Sequence, residues 1–338
     1  MRWSILVLLI TLLVGTARAS TLGITAEATA LPTESAAPPA DILPLTGVTS
    51  PVHDPTLIKD GAMYYVFSTG PGIPIYCSPD LLAWSPCGRV FQTYPAWLYQ
   101  AVPNLTDLWA PDITYWNGKY HLYYAASSFG SNRSVIGLAT TITLNQDSKD
   151  YRWVDEGKVF SSQPPDNYNA IDPNLAFDQD SQHWLLFGSF WTGIKMIKID
   201  ATTGKPFDED TRIYSLARRP ANGPIEGAFS TYRDGYYYLF VSFDFCCKGV
   251  NSNYKIMVGR SKQITGPYID RDGKPMENGG GSLVYAGSDR WRGPGHNAIF
   301  IENGAYYLVY HAYDAQRNGT PTLRIAVLGW DKDGWPEG

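Results

Sequence analysis

One short pattern occurs five times along this chain, and no other feature of the sequence restricts the fold as strongly. Each copy has a polar head, a short strand, a turn on Asn-Gly, Asp-Gly or a similar pair, and a second, aromatic strand. The copies read VHDPTLIKDGAMYYVFST, WAPDITYWNGKYHLYYAAS, IDPNLAFDQDSQHWLLFGS, IEGAFSTYRDGYYYLFVS and GHNAIFIENGAYYLVYHAY. This pattern is typical of a β-hairpin. With no long amphipathic helix elsewhere, it predicts an all-β chain.

The polar heads of the five copies are spaced almost evenly. They are Asp54, Asp112, Asp172, Glu226 and His296, separated by 58, 60, 54 and 70 residues. A hairpin at this period leaves room for two further strands per copy, so the repeats predict a five-bladed β-propeller in a single domain. The heads of the innermost strands would then meet at one mouth of the central channel. A β-sandwich is the alternative, but it gives no reason for five equivalent hairpins.

A ring of carboxylates at a channel mouth is suited to acid–base chemistry. A single acid at a strand start more often caps a turn or accepts backbone N–H groups, but four acids at one repeated position favour a functional site. Like charges in a partly buried pocket raise some carboxyl pKa values, which places a protonated acid beside an ionised one. Hydrolysis of a glycosidic bond uses such a pair.

Four motifs at the heads resemble glycoside hydrolase family 43. They are HDP at 53–55, WAPDI at 109–113, NAIDPN at 169–174 and PIEGAF at 224–229, and the resemblance covers residues 48–336. The stretches FDFCCKGVNSNYKI and GPGHNAIF resemble the endo-1,5-α-L-arabinanases of that family, secreted fungal enzymes included. The resemblance implies a five-bladed β-propeller that cleaves internal α-1,5-L-arabinofuranosidic bonds of linear arabinan, a pectin side chain, with inversion at the anomeric carbon.

The same resemblance implies a role for three of the acids. Asp54 would be the general base that activates water, and Glu226 would be the general acid that protonates the leaving oxygen. Asp172 would raise the pKa of Glu226 and orient it. An inverting pair has its carboxyl groups about 6.5–9.5 Å apart, so we expect that separation for Asp54 and Glu226, with Asp172 closer to Glu226. Asp112 shares the repeat but has no catalytic role in the family.

Further residues of the cleft also follow from the resemblance. Those expected to bind the sugar are Trp109, Phe129, Gly130, Asn169, Ser189, Phe190 and Trp191. His296 resembles the histidine that holds a central metal ion, usually calcium. Water would supply the remaining ligands, because calcium prefers oxygen. No organic cofactor is expected.

Two alternative functions stay open on sequence alone. One is another activity of the same family with the same three acids: exo-arabinanase, α-L-arabinofuranosidase or β-xylosidase. We see no large insertion that would block one end of the cleft, and we expect no appended β-sandwich domain, which favours internal cleavage. The other alternative is a propeller that binds sugar without cleaving it, which the presence of all three acids disfavours.

The N-terminal segment predicts export. Residues 1–19 have a positive Arg2, an apolar stretch too short to span a bilayer and an A-x-A pattern at 17–19, which predict a secretory signal peptide rather than a membrane anchor. Residues 20–46, rich in Ala, Thr, Pro and Ser, predict a disordered leader, and residues 47–338 the propeller. We expect a secreted, extracellular monomer with no membrane partner. With 27 basic and 32 acidic residues and no basic cluster, nucleic acid is not an expected partner.

Export from the cell would permit both disulfides and N-linked glycans in this chain. Cys77 and Cys87 are ten positions apart, flank a turn and are predicted to form a disulfide. The adjacent Cys246 and Cys247 either form a bridge across one peptide or remain two free thiols, and their spacing fits no zinc site. The N-x-S/T sequons predict glycans on surface loops; they begin at Asn104, Asn132 and Asn318.

Overall fold

The strands of the computed structural model form five large sheets within residues 41–337, the part of the chain that the structure describes. In chain order the strands are β1 Asp41–Ile42, β2 Thr46–Gly47, β3 Thr56–Asp60, β4 Met63–Phe67, β5 Pro74–Ser78, β6 Ala83–Arg89, β7 Trp109–Trp116, β8 Lys119–Ala126, β9 Ser134–Thr141, β10 Val154–Ser162, β11 Asn174–Phe177, β12 His183–Phe187, β13 Ile194–Ile199, β14 Tyr214–Ala217, β15 Ile225–Arg233, β16 Tyr236–Phe243, β17 Lys255–Ser261, β18 Ser282–Tyr285, β19 Trp291–Glu302, β20 Ala305–Asp314, β21 Thr320–Val327, β22 Gly329–Trp330 and β23 Pro336–Glu337. Within these described residues there is one α-helix, α1, which spans Ala96–Ala101. The predicted signal peptide lies outside the described residues, as does the leader up to residue 40.

Each large sheet is one blade of the predicted propeller. The first four blades contain consecutive strands, namely β3 to β6, β7 to β10, β11 to β14 and β15 to β18. The short β2 adds to the first blade by pairing in parallel with β6. The fifth blade contains β19, β20 and β21 and is completed by β1, with Asp41 opposite Val327. The N-terminal end of the described chain therefore pairs with the last long strand in one sheet.

Residues 41–46 correct the predicted boundary of the disordered leader. Ile42, Leu43 and Leu45 pack against buried clusters of the blades, and the Leu43 N–H donates to Ile325 O at 2.9 Å. The apolar side chains of the sequence DILPL stabilise an ordered segment here, although the surrounding composition is typical of disorder. The propeller therefore includes residues 41–46, and the predicted start at residue 47 is wrong.

The turns between the first two strands of the blades explain why the hairpins form. At 117–118, 234–235 and 303–304, an Asn-Gly or Asp-Gly pair joins two paired strands, and both residues of each pair have positive φ. This is the two-residue type I′ geometry, which matches the twist of the flanking strands and which Asn, Asp and Gly tolerate best. The predicted hairpins are confirmed at these positions.

The first strand of each blade lines the centre, and the blades close into a ring. The inner strands β3, β7, β11, β15 and β19 each contact the next one, and β19 contacts β3. Five buried clusters, one at each blade interface, hold the ring together. They consist mostly of tyrosines and branched aliphatic residues, and each fully buried side chain of this size contributes about 1.5–3 kcal/mol. Most of the strand aromatics therefore pack between blades.

Both cysteine pairs are bonded. Cys77 on β5 and Cys87 on β6 form a disulfide with a Cα–Cα distance of 5.9 Å, which confirms the predicted pairing. Cys246 and Cys247, in the loop after β16, form a bridge across a single peptide, which decides between the two alternatives left open by the sequence. No cysteine in residues 41–337 is free.

The three sequons differ in their accessibility. Asn104 and Asn318 are exposed, but Asn132 is only 4% exposed. Its side-chain amide donates to Asp166 O and to Tyr168 O at 2.8 and 3.1 Å. A glycan on Asn132 would require these bonds to break, so the structure favours Asn104 and Asn318 over Asn132 as glycan sites. Separately, no helix among the described residues is long and apolar enough to cross a membrane.

Candidate active site

A left-handed residue marks the head of every inner strand. Asp54, Ala110, Asp172, Gly227 and His296 have φ values of 50°, 45°, 57°, 59° and 48°. This conformation costs a non-glycine residue on the order of 1–3 kcal/mol, and strain of this kind is typical of functional sites. The central end of each blade therefore turns at the same point, and three of the residues at these turns, Asp54, Asp172 and His296, line one cavity.

The five polar heads are not structurally equivalent, which corrects the prediction from the repeats. Measured from the left-handed residue, Glu226 lies one position earlier and Asp112 two positions later than Asp54 and Asp172 do. The register is irregular at the heads of β7, β15 and β19. At β7 and β15 these bulges change the number of residues between the polar head and the left-handed residue by one or more, and a sequence repeat does not reveal them. The four acids therefore do not occupy one repeated position, because Asp54 and Asp172 share it whereas Glu226 and Asp112 do not.

Asp112 holds two inner strands together and does not line the cavity described below. Its carboxylate accepts the Leu175 N–H at 2.8 Å and is also hydrogen-bonded by the side chains of Thr56 and Asn174. It is 5% exposed, and burial raises its pKa to about 6. Asn174 repeats the arrangement in the next blade, because its side-chain oxygen accepts the Ser230 N–H at 2.9 Å.

All residues expected to act in catalysis, sugar binding or metal binding line one cavity of about 860 Å³. The cavity contains the three acids Asp54, Asp172 and Glu226. It also contains Trp109, Phe129, Gly130, Asn169, Ser189, Phe190, Trp191 and His296. Residues from all five blades therefore meet here, although they are up to 242 positions apart in the chain.

Three donors surround the carboxylate of Asp54. His53 Nδ1 lies 2.8 Å from Oδ2, the Thr69 hydroxyl donates to the same oxygen at 2.6 Å, and His296 Nδ1 lies 3.2 Å from Oδ1. Burial alone would raise the pKa of Asp54, but the imidazoles of His53 and His296 hold it well below its usual range. Asp54 is therefore ionised at neutral pH and can accept a proton.

Glu226 lies in a different environment. Its Oε2 accepts the Ser189 hydroxyl at 2.5 Å, and its Oε1 accepts the hydroxyl of Tyr254. Burial raises its pKa to about 7, the Ser189 hydrogen bond opposes this increase, and the charge of Asp54 adds to it. Glu226 therefore keeps its proton at a pH where Asp54 has lost one, which is the condition for an acid and a base in one site.

Asp172 is tied to the backbone beside Glu226. It is 6% exposed, and its Oδ2 accepts the Gly227 N–H at 3.1 Å. Burial raises the pKa of Asp172 well above its usual range, and the charges of Glu226 and Asp54 raise it further. Because like-charge repulsion is mutual, an ionised Asp172 would also favour the protonated form of Glu226.

Aromatic side chains from three blades form the walls of the cavity. Trp109 and Phe129 of the second blade have ring centroids 5.1 Å apart, and Phe129 is 80% exposed. Phe190 and Phe245, from the third and fourth blades, lie 6.1 Å apart. Exposed rings of this kind can stack on the apolar face of a sugar, and their spread over three blades leaves room for more than one sugar unit.

The second strands supply polar groups that the sequence analysis missed. The N–H groups of the left-handed residues need acceptors, and four of these acceptors are side chains of the preceding blade: Thr69 for Ala110, Asp172 for Gly227, Ser242 for His296 and His311 for Asp54. Three of the acceptors, Thr69, Ser242 and His311, lie within three residues of the end of a second strand. The sequence contains a signal for such acceptors, because four of the five repeats end in Ser or Thr. Tyr254 and Tyr313 have no such signal.

His296 fits the expected metal ligand in one respect. Its Nδ1 faces the Asp54 carboxylate and therefore carries the proton, so Nε2 has the lone pair. Within residues 41–337, Nε2 accepts no hydrogen bond from the protein, and His296 lines the cavity. A single imidazole in a roomy cavity that also contains three carboxyl groups is compatible with a calcium ion whose other ligands are water.

Comparison with known proteins shows the same fold and similar sequences. Residues 48–336 match the family described as Glycosyl hydrolases family 43. The extracellular endo-α-(1→5)-L-arabinanase 1 of Bacillus subtilis (strain 168) is 50% identical, over 84% of this chain and 87% of its own. The extracellular exo-α-(1→5)-L-arabinofuranosidase ArbA of Cellvibrio japonicus is 44% identical, over 85% and 86%. The structure of Cellvibrio cellulosa α-L-arabinanase with arabinohexaose aligns with a TM-score of 0.83 and 43% identity, covering 86% of this chain and 96% of that one.

Proposed function

The chain belongs to glycosyl hydrolases family 43, and from this premise we propose that it is a secreted enzyme that cleaves internal α-1,5-L-arabinofuranosidic bonds of linear arabinan with inversion. The protein is a glycoside hydrolase with a five-bladed β-propeller fold. The main support for the proposal is that two carboxyl groups in one cavity have opposite environments. Asp54 is held ionised, whereas the pKa of Glu226 is raised to about 7. Export is supported by the predicted signal peptide and by the extracellular names of two relatives.

The two acids divide the chemistry of hydrolysis. Asp54 accepts a proton from the attacking water as the water forms a bond to the anomeric carbon. Glu226 donates its proton to the glycosidic oxygen as the bond between that oxygen and the anomeric carbon breaks. The pair then exchanges protons with solvent to return to its starting state. The direct attack of water on the face opposite the leaving sugar gives inversion.

Asp172 would act through Glu226. Its hydrogen bond to the Gly227 N–H fixes it beside the acid. Burial raises the pKa of Asp172 itself, so the effect on Glu226 belongs to the ionised form of Asp172, whose charge would disfavour ionisation of Glu226. The apolar rings of Trp109 and Phe129 would hold the arabinose units that extend beyond the cleaved bond. With these assignments, each group of the site transfers a proton, shifts the pKa of a group that does, or binds sugar.

Exo action is the second candidate, because the Cellvibrio japonicus relative, 44% identical, is named as an exo-acting enzyme. The relative that is 50% identical is named as an endo-acting one, and aromatic pairs in separate blades favour a cleft that binds sugars on both sides of the cleaved bond. The time course of products from debranched linear arabinan decides between them. Internal cleavage gives mixed arabino-oligosaccharides early, whereas one small product from the first minutes would mean exo action. No product at all would favour a sugar-binding propeller.

A calcium ion held through Nε2 of His296 is also part of the proposal. When bound, the ion would supply positive charge and ordered water near the ionised Asp54. His296 orients the site in either case, because its Nδ1 contacts the base. Arabinan is the proposed partner, and we expect the enzyme to be a monomer, which light scattering can test.

A further inference from the structure

A line of hydrogen bonds leads from the loop of the adjacent cysteines to the catalytic cavity. The backbone N–H of Cys247 donates to the Tyr313 hydroxyl at 2.8 Å. That hydroxyl lies 2.7 Å from Nε2 of His53, and Nδ1 of the same ring lies 2.8 Å from Oδ2 of Asp54. Three groups outside the acid–base pair are therefore connected in series to the carboxylate assigned as the base.

Proton positions in this line are restricted by what each group can do. The Asp54 carboxylate can only accept, so Nδ1 of His53 carries a proton whether the ring is neutral or cationic. In the neutral ring Nε2 then accepts, and the Tyr313 hydroxyl donates to it while accepting the Cys247 N–H. Every donor has an acceptor in this arrangement, so the line is complete from backbone to carboxylate.

Packing prevents the members of the line from turning. The His53 ring stacks on the fully buried His311 ring, with centroids 3.9 Å apart and planes at 24°. His311 in turn accepts the Asp54 N–H at its Nδ1. Tyr313 is 2% exposed, and its ring meets His311 edge-on with centroids 5.2 Å apart. The His53 imidazole is thus held between a neighbouring ring and two hydrogen bonds.

The line determines which oxygen of the base is available. Oδ2 of Asp54 already accepts from His53 and Thr69 at 2.8 and 2.6 Å. Oδ1 has a longer contact, 3.2 Å to His296. Rotation of the carboxylate would break two short bonds, so Oδ1 remains the oxygen with lone-pair capacity for the proton of the attacking water.

We propose that His53 and Tyr313 are positioning residues that fix the rotation of the Asp54 carboxylate so that Oδ1 faces the attacking water. The proposal rests on the proposed role of Asp54 as general base. Substrate binding does not depend on this rotation, so its loss reduces kcat and leaves KM unchanged. Misplacement of a reacting group by about 1 Å can reduce the rate about 10²-fold.

Two substitutions of one residue separate positioning from mere space filling. The side-chain amide of Asn reaches about as far as Nδ1 of histidine and can donate to Asp54, whereas that of Gln extends to the position of Nε2. We expect H53N to keep kcat within about tenfold of wild type and H53Q to lose about 10²-fold. We expect Y313F to lose about tenfold in kcat, with KM unchanged in all three. The buried Tyr310 on the same strand is outside the cavity, so Y310F is the matched control and keeps wild-type kcat.

Thermal unfolding of each variant first establishes that it is folded, and steady-state kinetics on arabino-oligosaccharides then give the result. Equal losses in H53N and H53Q, or changes in KM alone, would overturn the proposal. D54N distinguishes this failure from failure of the proposed function. If D54N is inactive while H53Q and Y313F turn over like wild type, the positioning role is wrong and the base assignment stands. If D54N itself turns over like wild type, the base assignment is wrong.

Discussion

At the scale of single residues, the site depends on giving two similar carboxyl groups different surroundings. Asp54 has two imidazole nitrogens and a hydroxyl within 3.2 Å, whereas Glu226 has two hydroxyl groups and, among residues 41–337, no cation in contact. Imidazole N–H groups stabilise a carboxylate strongly, and burial without such partners destabilises it. The order of the two pKa values therefore follows from the neighbours and not from the difference between Asp and Glu.

The first prediction concerns the alkaline limb of the pH profile. Glu226 must be protonated to act as acid, and its pKa is raised to about 7, so kcat/KM should fall as the pH rises above about 7. Ser189 lowers this pKa by donating to the carboxylate, so S189A should move the limb to higher pH. Initial rates on arabino-oligosaccharides across the pH range measure both effects. A limb that stays in place or moves to lower pH in S189A would contradict the assignment.

The second prediction is the glycosylation pattern of the protein made in a eukaryotic secretory host. The exposed Asn104 and Asn318 should carry glycans. Asn132 should not, because its amide protons are used by two backbone carbonyls in the folded protein. Peptide mapping with and without enzymatic deglycosylation shows which sites are occupied. A fully occupied Asn132 would mean that this amide is not buried as described.

At the scale of elements, the hairpins could be predicted from the sequence, but their registers could not. The pairs Asn-Gly at 117–118 and Asp-Gly at 234–235 determine a turn from local chemistry alone. The sequence repeat does not reveal the bulges at the heads of β7 and β15, so it aligns Asp112 and Glu226 with Asp54 although the structure does not. Tyr313 escaped detection for a similar reason, since only the closed ring brings it to His53.

The third prediction tests the short strand that completes the fifth blade. Ile42 on β1 packs against the buried cluster between the fourth and fifth blades. I42D places a charge there and should lower the free energy of unfolding by about 1–3 kcal/mol. D41N, at the exposed neighbouring position, should change it by less than about 0.5 kcal/mol. Equal urea midpoints for I42D and wild type would show that β1 does not stabilise the propeller.

At the scale of the whole molecule, ring closure creates the site. The three acids belong to three blades, and some of the groups that control them come from another blade, as His296 does for Asp54 and Ser189 does for Glu226, so no single blade contains a working pair. The five repeats predicted the ring. The catalytic roles came from the resemblance to the family, because the spacing of the repeats alone does not distinguish Asp112 from Asp172. Aromatic residues did not reveal the sugar-binding surface, since most of them pack between blades.

The fourth prediction concerns the proposed ion at the centre of the ring. If His296 holds calcium, chelation should lower both the melting temperature and the activity, because an ion that binds only the folded protein stabilises it. H296A should have a lower melting temperature than wild type in calcium and should not respond to chelator. Metal analysis of the purified protein is the direct check. Absence of a bound ion, together with no effect of chelation, would reduce His296 to a hydrogen-bond donor for Asp54.

The most direct test of the whole account compares two substitutions on two substrates. D54N and E226Q should each lose about 10²–10⁴-fold on linear arabinan, since each removes one proton-transfer group. On an aryl arabinoside with a good leaving group, should the enzyme accept it, E226Q should recover much of its rate, because little protonation is needed, whereas D54N should stay inactive for lack of a base. Circular dichroism of both variants shows whether the fold is retained. Wild-type turnover of E226Q on arabinan, or equal recovery of both variants on the activated substrate, would contradict the division of roles between Asp54 and Glu226.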